Sequence, residues 1–144
     1  MVERYYLDTS ALLPYYREET TSKQLQDLLF TLIPPLLVSD LTKVEFASAL
    51  ARLVRMAELS EEQASLIEST FSRDIDSGLY LRKPLTAGHY IQAEKWLSDR
   101  KTALRTLDAL HLACCRQLDA KLITCDSVLH QAADISGVKN LFIQ

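Results

Sequence analysis

The chain has 144 residues, a length that supports one domain, residues 1–144, large enough to bury roughly two-thirds of its chain surface. Its 48% hydrophobic and 24% charged residues are those of an ordinary soluble globular protein. The net charge of −3 excludes a generally basic nucleic-acid binder but leaves room for a local basic patch. Tyr5 to Leu7 form a short apolar run, read as a buried strand, that ends in Asp8, with Thr9 or Ser10 placed to cap a following helix through its hydroxyl. A second helix starts at Thr21 or Ser22, sets Leu25, Leu28, Leu29 and Leu32 on one face, and stops at Pro34-Pro35. Leu36-Leu37-Val38 reads as a strand covered on both faces.

Ser39 or Asp40 then caps a long helix to about Ala57, and Ser60 with Gln63 has the form of a capping box opening another that ends near Gly78. These two helices are expected to form a hairpin, a protruding arm rather than a second domain. Leu79 to Leu81 is a third strand candidate, and two helices follow over residues 86–101 and 106–118. Residues 121–126 repeat the opening pattern, an apolar strand ending in a carboxylate. A short helix closed by Gly137 and a strand at 140–143 complete the chain. Strands alternating with helices imply an α/β fold: a mainly parallel sheet of about four or five strands with helices on both faces, plus the helical hairpin.

Three cysteines, Cys114, Cys115 and Cys125, occur without C-x-x-C or His-paired zinc spacing, so reduced thiols used as small apolar residues are expected. The first strand begins with no basic-then-apolar leader, and Pro34-Pro35 cuts the apolar stretch 28–38 far short of a membrane span. A cytoplasmic protein without membrane contact is the expectation.

Most acids read as solvated surface: Glu18-Glu19, Glu61-Glu62, Asp74, Asp76, Asp99 and Asp134. Two helical acids do not. Three-and-four spacing puts Glu45 in a stripe with Leu41, Val44, Ser48 and Ala49, and sets Asp108 one turn from Leu104, Arg105, His111 and Leu112. A carboxylate on a packing face costs several kcal/mol unless paired or bound to metal. Each alone has an ordinary alternative, an exposed position at the stripe's edge for Glu45 and an ion pair with Arg105 for Asp108. Together with Asp8 and Asp126, which end two strands, they would gather at one edge of a parallel sheet. Four converging carboxylates repel and call for cations, and all-oxygen ligation selects Mg2+ or Mn2+.

Four ordered motifs resemble those of PIN-domain ribonucleases, most closely the VapC-type toxins of toxin–antitoxin pairs. They are Leu7-Asp8-Thr9-Ser10-Ala11-Leu12, then Val44-Glu45 with Ala49-Leu50, then residues 105–113 around Asp108, and finally Ile123-Thr124-Cys125-Asp126-Ser127. The resemblance covers nearly the whole chain. It implies that Asp8, Glu45, Asp108 and Asp126 are metal ligands and catalytic residues, and that Ser10 and Thr124 are supporting hydroxyls. It implies hydrolysis of RNA by a water activated on Mg2+ or Mn2+, a cognate antitoxin protein, and a homodimer. The dimer is also suggested by Leu12, Leu13, Tyr15 and Tyr16 beside the first motif and by apolar residues on the arm. Lys95, Arg100, Lys101 and Arg105 are either RNA-phosphate contacts at the mouth of the site or ordinary solvated helix charges. Tyr15 and Tyr16 are read as packing residues or base-stacking platforms, and His111 as packed or supporting. A phosphoaspartate enzyme of the haloacid-dehalogenase kind would want an Asp at Ser10, and a receiver domain would want a late lysine. The remaining alternative is a catalytically inactive PIN-like scaffold acting through protein contacts.

Overall fold

The computed structural model describes residues 2–144. Five strands and seven helices follow in order: β1 (Tyr5–Leu7), α1 (Thr9–Tyr16), α2 (Ser22–Phe30), β2 (Leu36–Ser39), α3 (Asp40–Arg55), α4 (Glu61–Asp76), β3 (Tyr80–Lys83), α5 (Ala87–Asp99), α6 (Thr106–Gln117), β4 (Lys121–Thr124), α7 (Ser127–Ile135) and β5 (Asn140–Phe142). All five strands are parallel and lie in the order β3-β2-β1-β4-β5, with Tyr6 opposite Leu37 and Leu122.

Alternate strand residues feed two cores, as the two-residue period of a strand requires. Tyr6, Leu37 and Leu122 join Leu110 and Leu112 of α6 and Leu129 of α7 on one face. Leu7, Val38 and Ile123 join Leu12, Leu25, Phe46 and Phe71 from α1 to α4 on the other. The parallel, two-sided architecture expected from the alternating pattern is what forms.

Local signals set most boundaries. Ser39 Oγ accepts from the Thr42 N–H at 3.3 Å while Thr42 Oγ1 accepts from the Ser39 N–H at 3.1 Å, so the box that opens α3 is reciprocal. Ser60 and Gln63 do the same for α4. Gly78 and Gly137 take positive φ (92° and 74°) just beyond α4 and α7, conformations a side chain would strain.

Several expectations are corrected. Neither Thr9 nor Ser10 caps α1: Asp8 occupies the cap position and makes no capping bond, and both hydroxyls serve carboxylates instead. Helix α2 ends at Phe30, leaving Leu32 outside it, and β3 begins one residue later than expected and runs on to Lys83. On α3 the buried face is Leu41, Phe46, Leu50 and Leu53; Val44 is 66% exposed, so the stripe expected around Glu45 belongs to the open side and Glu45 sits on its boundary. The hairpin of α3 and α4 forms, but it is rooted in the core. Phe71, the one buried residue of α4, packs its ring 4.6 Å from that of Phe46. Asp74 is no solvated acid, since its Oδ2 accepts from the Tyr16 hydroxyl at 2.6 Å. Glu19 likewise buries one carboxylate oxygen, which finds no hydrogen-bond partner among the described residues. Tyr16 and Tyr15 pack edge to face, and Tyr16 lies against Phe46 and Phe71, so the packing reading holds for this pair.

Candidate active site

Strand order decides which residues meet. Chain progression from β1 to β2 and β3 runs one way across the sheet, and β4 and β5 lie on the other side of β1. The direction therefore reverses between β1 and β4, where open α/β sheets place their ligands beyond the strands' carboxyl ends. Asp8 follows β1 directly, Asp126 stands two residues past β4, and Glu45 lies in the second turn of the helix that follows β2. Helix α6 runs back across the sheet to feed β4, which brings its first turn, with Asp108, to the same edge.

Hydroxyls and one imidazole hold the carboxylates of Asp8 and Glu45, and backbone N–H groups hold that of Asp126. Ser10 Oγ stands 2.9 Å from each carboxylate oxygen of Asp8, accepts the Cys125 N–H at 2.9 Å, and lies 3.2 Å from Thr124 Oγ1. Thr124 Oγ1 accepts the Asp126 N–H at 3.0 Å. Asp126 Oδ1 caps α7 by accepting from the Val128 and Leu129 N–H groups at 2.8 and 3.4 Å. Thr9 Oγ1 donates to Glu45 Oε1 at 2.8 Å, and His111 Nε2 donates to the same oxygen. Behind the imidazole, Nδ1 lies 2.7 Å from the Tyr6 hydroxyl, which donates to Ser39 Oγ at 2.9 Å.

The electrostatics separate the acids. Asp8 is 4% exposed, and burial raises its pKa to about 6 against the opposing charge of His111 and the Ser10 and Thr124 hydroxyls. Burial also raises Asp108, and the charge of Asp126 adds to it, while Arg105 and His111 pull the other way. Burial alone would raise Glu45, but the His111 hydrogen bond and charge, with Thr9, outweigh it and hold this carboxyl below its ordinary value. All three acids thus sense His111, and Asp108 senses Asp126: the four lie within one electrostatic neighbourhood. The expected Arg105–Asp108 attraction is present as a long-range effect rather than an ion pair.

This edge is gathered without being a preformed cage. Among the described residues no three His, Cys, Asp or Glu side chains are grouped closely enough to grip a metal ion. The donor chemistry nonetheless suits a hard divalent cation. Asp8 is buried with no Lys or Arg paired to it among the described residues, and Asp126 keeps one oxygen outside its capping bonds. An open cleft of about 420 Å3, lined by Thr9, Ser10, Leu13, Ala49 and Cys125 among others, lies directly beside these residues.

Lys95, Arg100, Lys101 and Arg105 are all exposed, and only Arg105, at the start of α6, reaches the acids with its charge. The thiols behave as packing groups: Cys114 and Cys115 are buried, and burial pushes their pKa values to about 11 and 12. His89 completes the capping box of α5, and His130 stacks on Phe142. Sequence reasoning missed Thr9 as a partner of Glu45, and Tyr6 and Ser39 as supports of His111. A tyrosine inside a strand buried on both faces was the available signal, because its hydroxyl must find a partner.

A doubly covered parallel sheet with acids beyond its strand ends at the topological switch point places this chain among open α/β proteins whose ligands bind at that point. The PIN domain family model matches residues 5–135, and the chain belongs to that family. Among solved structures it is similar to FitAcB from Neisseria gonorrhoeae, with 19% identity over 95% of this chain and 96% of that one and a TM-score of 0.74. It is similar to VapC20 of Mycobacterium tuberculosis, with 17% identity over 89% and 94% and a TM-score of 0.69. A toxin–antitoxin complex from Klebsiella pneumoniae shares 16% identity over 85% and 87%, with a TM-score of 0.63. These likenesses speak for the fold. No curated protein matches the sequence. Among the described residues, no helix is long and apolar enough to cross a membrane.

Proposed function

We propose that this protein is a Mg2+- or Mn2+-dependent endoribonuclease and the toxin half of a toxin–antitoxin pair, its 144 residues acting as one domain in the cytoplasm. What supports the reading is that the strand order sends Asp8, Glu45, Asp108 and Asp126 toward the β1–β4 edge, with Asp8 buried and paired to no Lys or Arg among the described residues. Membership in the PIN domain family supports a nuclease. VapC20, described as a toxin that cleaves the sarcin–ricin loop, supports RNA as substrate, and the Klebsiella complex supports a cognate antitoxin.

Asp8, Glu45, Asp108 and Asp126 would hold the cation. When bound, it would lower the pKa of a water and neutralise charge on the phosphate being cleaved. The chain's own residues do the rest. Ser10 orients both oxygens of Asp8, Thr9 and His111 orient Glu45, and the α7 N–H groups fix Asp126. Arg105, and more distantly Lys95, Arg100 and Lys101, would meet RNA phosphates approaching the cleft, offsetting the overall charge of −3. A homodimer is part of the reading. Leu12 is fully buried and Tyr16 packs into the core, so the exposed Val44, Met56 and Leu66 of the hairpin take over as the apolar surface available to a partner.

The test is cleavage of a mixed RNA pool by the purified chain with Mg2+, Mn2+ or EDTA, alongside light scattering at micromolar concentration. Cation-dependent cleavage is expected. Intact RNA under all cation conditions would leave the scaffold alternative standing, and a monomeric mass would remove the dimer.

A further inference from the structure

We propose that His111 is a positioning residue: held from behind by the Tyr6 hydroxyl, it fixes the Glu45 carboxylate so that one oxygen is occupied and the other is presented to a divalent cation. The inference rests on the reading of the four carboxylates as cation ligands and assigns a task to a residue outside that set.

The geometry singles out one oxygen. Glu45 Oε1 accepts from both Thr9 Oγ1 and His111 Nε2, which accounts for its two lone-pair directions. Glu45 Oε2 takes no hydrogen bond from the described residues, and it is not among their buried atoms left without a partner, so it is accessible to solvent and free to take a ligand. Two donors on one oxygen define the rotation of the carboxylate plane as well as its place. A single donor would leave it free to swing.

The imidazole is in turn fixed. His111 is 2% exposed, and its ring stands 5.8 Å from that of Tyr6. Nδ1 lies 2.7 Å from the Tyr6 hydroxyl, whose proton goes to Ser39 Oγ, the residue that caps α3. A chain of hydrogen bonds therefore leaves the N-cap of α3 at Ser39, crosses the sheet residue Tyr6, and returns through His111 to the second turn of the same helix at Glu45. A histidine that only filled the core would need a partner for each nitrogen but no partner facing the site. Here Nε2 is spent on a carboxylate whose side chain is 22% exposed. Partners behind a ligand that set its orientation are worth roughly 10- to 100-fold in metal affinity.

The experiment is Mn2+ binding to the full chain by calorimetry, with thermal melts in EDTA as a check on folding. His111→Phe keeps a flat aromatic ring, somewhat larger than imidazole, and loses both donors; Mn2+ affinity is expected to fall roughly 10- to 100-fold. His111→Gln places an amide N–H near Nε2 and is expected to recover most of that loss, which a purely structural role would not produce. Tyr6→Phe leaves the imidazole in place without its anchor and is expected to weaken Mn2+ several-fold, and it decides the matter if His111→Phe does not fold. Folded variants binding Mn2+ as the wild type does would overturn the inference and leave the cation reading intact. A wild type with no Mn2+ affinity at millimolar concentration would overturn both.

Discussion

Ser10 Oγ lies 2.9 Å from both carboxylate oxygens of Asp8, and the same atom accepts the backbone N–H of Cys125. One hydroxyl thus joins the end of β1 to the end of β4 and aims the most deeply buried acid of the site.

Replacing Ser10 by alanine removes that junction and leaves the Cys125 N–H without its acceptor. A lost bond to a charged group with an unsatisfied partner costs about 1.5–3 kcal/mol. Ser10→Ala is therefore expected to melt earlier in EDTA by that amount and to cleave RNA more slowly. Wild-type stability would mean that water replaces the hydroxyl without loss.

Asp8→Asn is expected to abolish cleavage and to stabilise the metal-free protein at neutral pH. Burial first, and then its weaker opponents, set the folded pKa at about 6 against 3.8 for the free side chain. The folded protein holds the proton more tightly, so the contribution of Asp8 is fully present below about pH 4 and is lost as pH rises through 6. At 1.36 kcal/mol per pKa unit the loss by pH 8 is about 3 kcal/mol. Urea melts in EDTA from pH 4 to 8 should show the wild type losing ground to Asp8→Asn across that window. Parallel profiles would mean that Asp8 is not strained by burial.

Chelation is expected to stop cleavage and Mg2+ or Mn2+ to restore it, because the proposed donors are oxygen atoms alone. The same cations should raise the melting temperature of the wild type and leave that of Asp8→Asn nearly unchanged. Full activity in excess EDTA, with contaminating nucleases excluded, would refute the cation requirement.

Phe71→Ala is expected to destabilise by about 3–5 kcal/mol, the usual cost of deleting a buried phenylalanine. Phe71 is 1% exposed and touches the rings of Phe46, Tyr16 and Tyr80, so α4 loses its one buried anchor. Limited proteolysis should then cut within residues 56–78 first. Unchanged protease resistance would show that the exposed side of the hairpin is held by other contacts.

The sheet and the order of its elements were legible because β1, β2 and β4 are short, mostly apolar runs that lead into a helix-capping position. Ser39, Ser60 and Pro34-Pro35 are local signals, and the structure follows them. The face of α3 was misread because Val44 and Ala49 carry the right spacing, while Phe46 and Leu50, also at that spacing, have the greater area to bury. The four acids proposed as ligands were singled out from strand ends and helix starts, positions that strand direction sends toward one edge. Their supports could not. The contacts of Thr9 with Glu45 and of Tyr6 with His111 join residues far apart in the chain, and periodicity carries no information about such pairs.

Ser10 and Thr124 stand 114 positions apart in sequence, yet their hydroxyls meet at 3.2 Å. A growing chain therefore holds Asp8, Glu45 and Asp108 before it has β4 to lay beside β1. Every product of interrupted translation that stops short of residue 121 lacks the strand that closes the edge, as well as Asp126 itself. For a protein proposed to cleave RNA, this order means that no fragment ending before residue 121 carries the fourth proposed ligand or the strand that closes the edge.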